Sequence, residues 1–293
     1  MKELLKTIRL SLNMNQSELA EALNVSFATV NRWENGHAVP NKLAQSILYE
    51  LCKERNVLVY DMVIDKIKEA SDKVQLDTGR VLLYHGSKAG IVGNIEPKSH
   101  SKCDFGKGFY MGTDPRQALT LICDYVKSKF YVVSIDVNEL EVLEIPANLE
   151  WAMTVAYHRG RIDKIKGTPL YNKYRDMANS KDMIVGSIAN DRMFYVIDNF
   201  FLGNITDAAL VNSLSALELG KQYVAITQKA CDAVKIECEV ELSHLERQFL
   251  KDIAEANRAK GVSLANEICK NYRREGVFFD EMLEDALKEV NHE

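Results

Sequence analysis

At 293 residues, with 46% hydrophobic and 27% charged side chains, the chain has the balance of a globular protein, with room for one to three domains and a real core. A net charge of −5 excludes a global basic field that would recruit nucleic acid, so any such contact must come from a local face. No apolar run approaches the ~18 residues of a membrane span, and the start Met1-Lys2-Glu3-Leu4-Leu5-Lys6 turns polar too soon for a signal peptide, so no membrane association is expected.

Cys52, Cys103, Cys123, Cys231, Cys238 and Cys269 are dispersed without a Cys-x-x-Cys pair. That argues against zinc and for reduced thiols, so a cytoplasmic protein without a metal is expected.

Within residues 1–57, Ile8, Leu12, Leu19, Ala20, Leu23, Val30 and Trp33 fall at helical spacings broken by short polar turns. Asn15 is placed to cap one helix, with Glu18 at the capping-box position. Leu23-Asn24-Val25-Ser26 reads as a tight turn. A second helix is expected from Phe27 to about Asn35, stopped by Gly36. His37-Ala38-Val39-Pro40 leads to another.

The run Asn15-Gln16-Ser17-Glu18-Leu19-Ala20, Val25-Ser26, Val30-Asn31-Arg32-Trp33-Glu34-Asn35-Gly36 and Pro40 resembles the phage-repressor (XRE-like) helix-turn-helix. That resemblance implies a second helix in the DNA major groove. By position, Gln16 would touch phosphate, and Ser26, Phe27, Ala28 and Arg32 would face bases. Phe27 and Ala28 suit thymine methyls, and Arg32 suits guanine. It also implies a homodimer. With seven Lys/Arg against six Asp/Glu in residues 1–57, the electrostatic footprint is weak. A protein-docking module is the alternative on the same fold.

Residues 58–78 read as a connecting helix, with Tyr60, Val63, Ile64 and Ile67 on one face and a break at Thr78-Gly79. From 79 to 241 many short strands alternate irregularly with helices. Strands are expected at Val81–Tyr84, Phe130–Val137, Leu140–Ile145, Asp182–Ala189, Gln222–Ile226 and Val234–Val240. Helices are expected at Leu149–His158, Tyr171–Ala178 and Asp207–Leu219, with a helical turn from Thr227. Asn190-Asp191-Arg192 reads first as a turn. The fold class is α+β: an all-α helix-turn-helix followed by a mixed α+β domain with a helical tail.

Two stretches carry the chemistry. In Leu82-Leu83-Tyr84-His85-Gly86-Ser87, a His ends an apolar strand. In Cys103-Asp104-Phe105-Gly106-Lys107-Gly108-Phe109-Tyr110-Met111-Gly112-Thr113-Asp114-Pro115-Arg116-Gln117-Ala118, a Gly-x-Gly loop precedes an aromatic strand and a helix start, with Thr or Asp as cap and Pro in the first turn. It is no P-loop, because no Gly-Lys-Ser/Thr follows. A third stretch, Gly220-Lys221-Gln222-Tyr223-Val224, opens a later strand. Taken singly, each has a bland reading: a satisfied His, a core Tyr, a strand-edge Gln.

Together and in this order, the three resemble the ADP-ribosyltransferase fold, in the branch shared by diphtheria-toxin-like and poly(ADP-ribose)-polymerase-like enzymes. More narrowly, they resemble a bacterial family of uncharacterised ADP-ribosyltransferase-like domains of DUF3990 type. The resemblance implies NAD as substrate and His85, Tyr110 and Gln222 as catalytic. His85 would bond the adenosine-side ribose, Gly86 the carboxamide, and Ser87 would add a hydroxyl. Tyr110 would stack on nicotinamide, and Gln117 would lie near the carboxamide. Tyr84, Phe105, Gly106 and Gly108 complete the implied NAD-binding set. The family's third residue is usually Glu. Gln222 departs from it, since an amide carries no charge and cannot act as a base. Transfer of a single ADP-ribose to protein or nucleic acid follows as the expectation, in a toxin–antitoxin or phage-defence setting with an antitoxin as partner. Asn190, Asp191 and Arg192 are candidates for binding the target. The alternative is a transcription regulator that only senses NAD or a related nucleotide, and NAD hydrolysis is a third.

Over residues 242–293, apolar residues at Leu245, Phe249, Ile253 and Ala256, then Leu264, Ile268 and Tyr272, with Gly261 and Gly276 between, predict two helices. A third is expected over Asp280–Val290. This helical tail is read either as a regulatory module or as a packing extension.

Overall fold

A computed structural model describes residues 1–188, 191–216, 220–272 and 274–290. Five helices come first: α1 (Lys2–Ser11), α2 (Gln16–Ala22), α3 (Phe27–Glu34), α4 (Lys42–Glu54) and α5 (Val59–Ser71). The Asn15 cap is the one the sequence places. Asn15 Oδ1 accepts from the amides of Ser17 and Glu18, and the Glu18 carboxylate takes the Asn15 amide at 2.7 Å. Ser26 Oγ caps α3 by accepting from the Thr29 amide, and Gly36, at φ +77°, follows its last turn. Leu5, Ile8, Leu19, Val30 and Leu48 close the helical core. Beside them Arg9 Nε meets Glu34 Oε1 at 2.6 Å.

Next come β1 (Arg80–Ser87), β2 (Phe109–Gly112), α6 (Pro115–Ile122), β3 (Lys129–Asp136), β4 (Val142–Ile145), α7 (Leu149–His158), α8 (Pro169–Asp176), β5 (Met183–Ser187), α9 (Asp191–Phe201), α10 (Asp207–Ala216), β6 (Lys221–Ala225), α11 (Gln228–Asp232) and β7 (Val234–Val240). The strands form one mixed sheet in the order β4-β5-β6-β2-β1-β3-β7, antiparallel except for β4 with β5. The sheet is two halves. β1 pairs with β3 along its length, from Arg80↔Asp136 to Ser87↔Lys129, and β2 pairs with β6 from Phe109↔Ala225 to Gly112↔Gln222. The halves meet through the single register pair Tyr84↔Gly112, beyond which β1 and β2 part.

Trp151, Met153 and Val155 of α7 and Val196, Ile197 and Phe200 of α9 pack with Phe105, Ile184 and Val224 over one half. Helices α5 and α6 cover the other half through Val63, Ile67, Leu119 and Ile122, against Phe130 and Val132. On the reverse face Leu83, Phe109, Met111, Val133 and Val185 pack together.

Two expectations change. Asp191 and Arg192, read as part of a turn, open a helix that runs over Asp191–Phe201. Its run of aromatic and β-branched residues has weak helix propensity, and burial of Val196, Ile197 and Phe200 overrides it. The tail holds two helices, not three: α12 (His244–Tyr272) runs straight through Gly261, and α13 (Phe279–Val290) follows. A helical Gly costs only ~1 kcal/mol, and α12 is braced by packing on α9 and α10, with Tyr195 and Asn266 hydrogen-bonded at 3.0 Å.

The first turns of α12 also complete the N-terminal core. Leu245 and Phe249 join it, the Leu245 amide donates to Gln45 Oε1, and the Tyr49 hydroxyl donates to Asp252 at 2.7 Å. Among the described residues, no helix is long and apolar enough to cross a membrane, and no group of three or more His, Cys, Asp or Glu side chains could hold a metal ion.

Candidate functional site

The three motif residues stand on adjacent strands: His85 on β1, Tyr110 on β2 and Gln222 on β6. The parting of β1 from β2 shapes the centre. Beyond Tyr84↔Gly112 the Tyr110 carbonyl has no ladder partner on β1, and His85 Nδ1 reaches it at 2.7 Å. A carbonyl only accepts, so Nδ1 carries the proton and Nε2 keeps its lone pair. Burial lowers the imidazole's pKa, opposed by the Tyr110 carbonyl, and this favours the neutral ring. That ring stacks on Phe109 with centroids 4.2 Å apart. His85 therefore offers a hydrogen-bond acceptor at the mouth of a split sheet.

Tyr110 and Gln222 share a face, because Tyr110↔Val224 and Gly112↔Gln222 lie two residues apart in one antiparallel register. The Tyr110 hydroxyl turns back on its own loop. It donates to the Gly106 carbonyl at 2.8 Å and accepts from the Phe105 amide at 3.1 Å. Burial pushes this phenol well above its ordinary pKa, so it acts as a fixed neutral latch. Ser99 Oγ binds the same loop, donating to the Gly106 carbonyl and accepting from the Gly108 amide.

The loop glycines have packing reasons of their own. Gly106 has φ +71°, and a Cβ there would lie 2.8 Å from His158 Nδ1. A Cβ on Gly108 would lie 2.4 Å from Val224 Cγ1, and one on Gly86 would lie 2.5 Å from the Ala118 carbonyl of α6. The Phe105 ring is buried against Gly186. Tyr84 turns to the α5 side, where its hydroxyl meets Ser71 Oγ at 3.1 Å and its ring stacks on Phe130. Ser87 ends β1, opposite Lys129. Gln117 Oε1 lies 3.5 Å from where a Gly112 Cβ would stand, on the helix that Asp114 caps and Pro115 opens. Asn190 and the side chains of Asp191 and Arg192 lie outside the described residues.

Gln222 is 5% exposed, and its Nε2 donates to the Ser187 carbonyl at 3.0 Å. The Trp151 indole N–H donates to the same carbonyl. Beside Gln222 lies a group that sequence reasoning missed. Asp104 is that group, and its Oδ1 accepts from Arg159 Nη2 at 2.6 Å. Burial raises the Asp104 pKa, opposed by Arg159 and Gln222. His158, next along, is lowered to about 4 by burial. Asp104 stood in the Gly-rich stretch itself, but nothing local announces a partner 55 positions away.

On the N-terminal domain, Phe27, Ala28 and Arg32 are exposed along α3. Ser26 spends its hydroxyl on the helix cap. Gln16 is engaged inside the domain, donating to Glu34 Oε2 at 2.7 Å and accepting from Asn31.

Residues 81–236 match the family described as "Protein of unknown function (DUF3990)", and residues 5–52 match a helix-turn-helix family. No curated protein and no solved structure matches the chain.

Proposed function

The chain belongs to the DUF3990 family, with a helix-turn-helix domain ahead of the family region, and on that premise we propose that it is an NAD-dependent mono-ADP-ribosyltransferase with a DNA-binding head. One observation carries the reading: His85, Tyr110 and Gln222 stand on three neighbouring strands, with His85 Nδ1 on the Tyr110 carbonyl where the sheet divides. NAD supplies a glycosidic bond to nicotinamide whose departure leaves an electron-poor ribose carbon open to a nucleophile.

The chain's own groups suit such a substrate. His85, neutral and with Nε2 free to accept, takes a hydroxyl of the adenosine-side ribose. The unpaired edge of β1 at Gly86 offers backbone groups to the carboxamide, with the Ser87 hydroxyl beyond. Tyr110, pinned through its hydroxyl, presents a ring of set orientation to nicotinamide. Gln222 orients the second ribose by hydrogen bonding, without charge. Phe105, Gly106 and Gly108 hold the platform from below, and Gln117 flanks it. Tyr84 contributes by anchoring β1 to α5.

Asn190, Asp191 and Arg192, where β5 leads into α9, are the proposed contact with the acceptor, protein or nucleic acid. Phe27, Ala28 and Arg32 are the base-facing side chains, and Gln16 and Ser26 shape that surface. A homodimer, a cytoplasmic setting, an antitoxin partner and a defence role belong to this same proposal.

Incubating the purified chain with labelled NAD and cell lysate tests it. Nicotinamide release with label in protein or nucleic acid is the expected result. Absence of both nicotinamide release and labelled product would remove the transferase reading. A second reading, an NAD-sensing transcription regulator, is favoured by the uncharged Gln222. It predicts NAD binding that alters DNA affinity and leaves no covalent product.

A further inference from the structure

We propose that Ser99, on the segment joining β1 to β2, is the positioning residue of the Tyr110 ring: by clasping Gly106 and Gly108 it fixes the carbonyl that holds the Tyr110 hydroxyl, and so sets how tightly nicotinamide is held. This rests on the transferase reading of Tyr110.

A Gly-x-Gly loop packs closely because it lacks Cβ atoms, and for the same reason its backbone is free to turn. Gly106, at φ +71°, is such a point. Its carbonyl takes two hydroxyls, from Tyr110 at 2.8 Å and from Ser99 at 3.1 Å. A carbonyl oxygen only accepts and has two lone pairs, so each hydroxyl gives its single proton there and the oxygen is filled. Tyr110 has no hydroxyl proton left for a ligand. What it offers is its ring, and the ring goes where the Gly106 carbonyl goes.

Ser99 grips the loop at two more points. Its Oγ accepts from the Gly108 amide at 3.0 Å, and its own amide donates to the Gly108 carbonyl at 3.3 Å. The segment that carries Ser99 is itself tied to both halves of the sheet. The Ile91 amide donates to the Tyr131 hydroxyl of β3 at 3.0 Å. Gln228 Nε2, on α11 just after β6, donates to the Ile95 carbonyl at 2.9 Å. The segment therefore crosses from one half to the other before Ser99 closes on the loop. Without the Ser99 hydroxyl, the Gly108 amide loses this acceptor and the Gly106 carbonyl loses one of its two hydroxyl donors. A glycine peptide is then left to turn with Tyr110 attached.

The test uses the full chain with Ser99→Ala, Ser99→Thr, Tyr110→Phe and the Ser99→Ala, Tyr110→Phe double variant. NAD affinity is read by titration, and amide hydrogen exchange is read without NAD. Ser99→Ala should weaken NAD binding about tenfold, the order expected when buried loop groups lose a partner. Ser99→Thr keeps the hydroxyl and should stay within about twofold of the wild type. In the Tyr110→Phe background Ser99→Ala should add little, because the link from loop to ring is already cut. The Gly108 and Phe105 amides should both exchange about tenfold faster in Ser99→Ala. The Phe105 amide is bonded to the Tyr110 hydroxyl and not to Ser99, so its exchange reports whether the hold is passed on. Wild-type NAD affinity in Ser99→Ala, a Ser99→Thr variant as weak as Ser99→Ala, or losses that simply add would each overturn the proposal. So would an unchanged Phe105 amide. If the wild type does not bind NAD, the transferase reading fails, while Phe105 exchange still decides whether Ser99 holds Tyr110.

Discussion

His85 Nδ1 donates to the Tyr110 carbonyl across 2.7 Å, at the point where β1 leaves β2. The bond sets the tautomer, so His85→Ala removes both the Nε2 acceptor and the bridge across the parting. Loss of one such acceptor is expected to weaken NAD binding at least about tenfold, with a stability loss of about 1 kcal/mol. Isothermal titration beside urea unfolding measures both. Unchanged NAD affinity in this variant would remove His85 from the site.

The Tyr110 hydroxyl joins the Phe105 amide and the Gly106 carbonyl. Tyr110→Phe keeps the ring and leaves both loop groups without this partner. About 1–2 kcal/mol of stability should be lost, and NAD affinity should fall because the ring is no longer held. Tyr110→Ala should abolish nicotinamide release outright.

Gly86→Ala tests whether that glycine serves a ligand or the fold. A Cβ would lie 2.5 Å from the Ala118 carbonyl and 2.8 Å from Ile122 Cγ2. Overpacking against helix backbone should cost about 1–3 kcal/mol, visible in urea unfolding with no NAD present. A variant as stable as the wild type would show that α6 moves aside easily.

Burial holds His158 at about 4, against about 6.5 in an unfolded chain. The folded value is the lower one, so the fold favours the neutral ring. This stabilisation is complete above pH ~6.5 and fades as pH falls toward 4. Between pH 7.5 and 5 the wild type should lose on the order of 2 kcal/mol more than His158→Gln, as measured by urea midpoints at the two pH values.

On α3, Arg32 and Phe27 are exposed, so Arg32→Ala and Phe27→Ala should leave the melting temperature within about 1 °C, in line with the small effects of surface changes. They should weaken DNA binding in a salt-titrated gel shift, and Arg32→Ala should relax the base preference by about 1–3 kcal/mol. Arg9→Ala should behave in the opposite way. It strands Glu34, whose carboxyl burial pushes up but the hydrogen bonds from Arg9 and Gln16 hold below its ordinary value. Unfolding should become easier by about 3 kcal/mol.

The caps at Asn15 and Asp114, and the helix over Leu149–His158, were legible because each depends on residues close to it in the chain. So was the order of the His85, Tyr110 and Gln222 motifs, from which the family followed. Strand order, the single-pair joint at Tyr84↔Gly112, and the helical state of Asp191–Phe201 were decided by which apolar faces meet. The same holds for α12, which seats its first turns in the N-terminal core and runs on through Gly261, and for the Asp104–Arg159 pair on the glycine-rich loop. Capping and periodicity are short-range and can be read along the chain. Which buried groups become partners is settled only when distant segments exclude water together, and Asp104, silent as a letter in a glycine-rich stretch, takes on its meaning there.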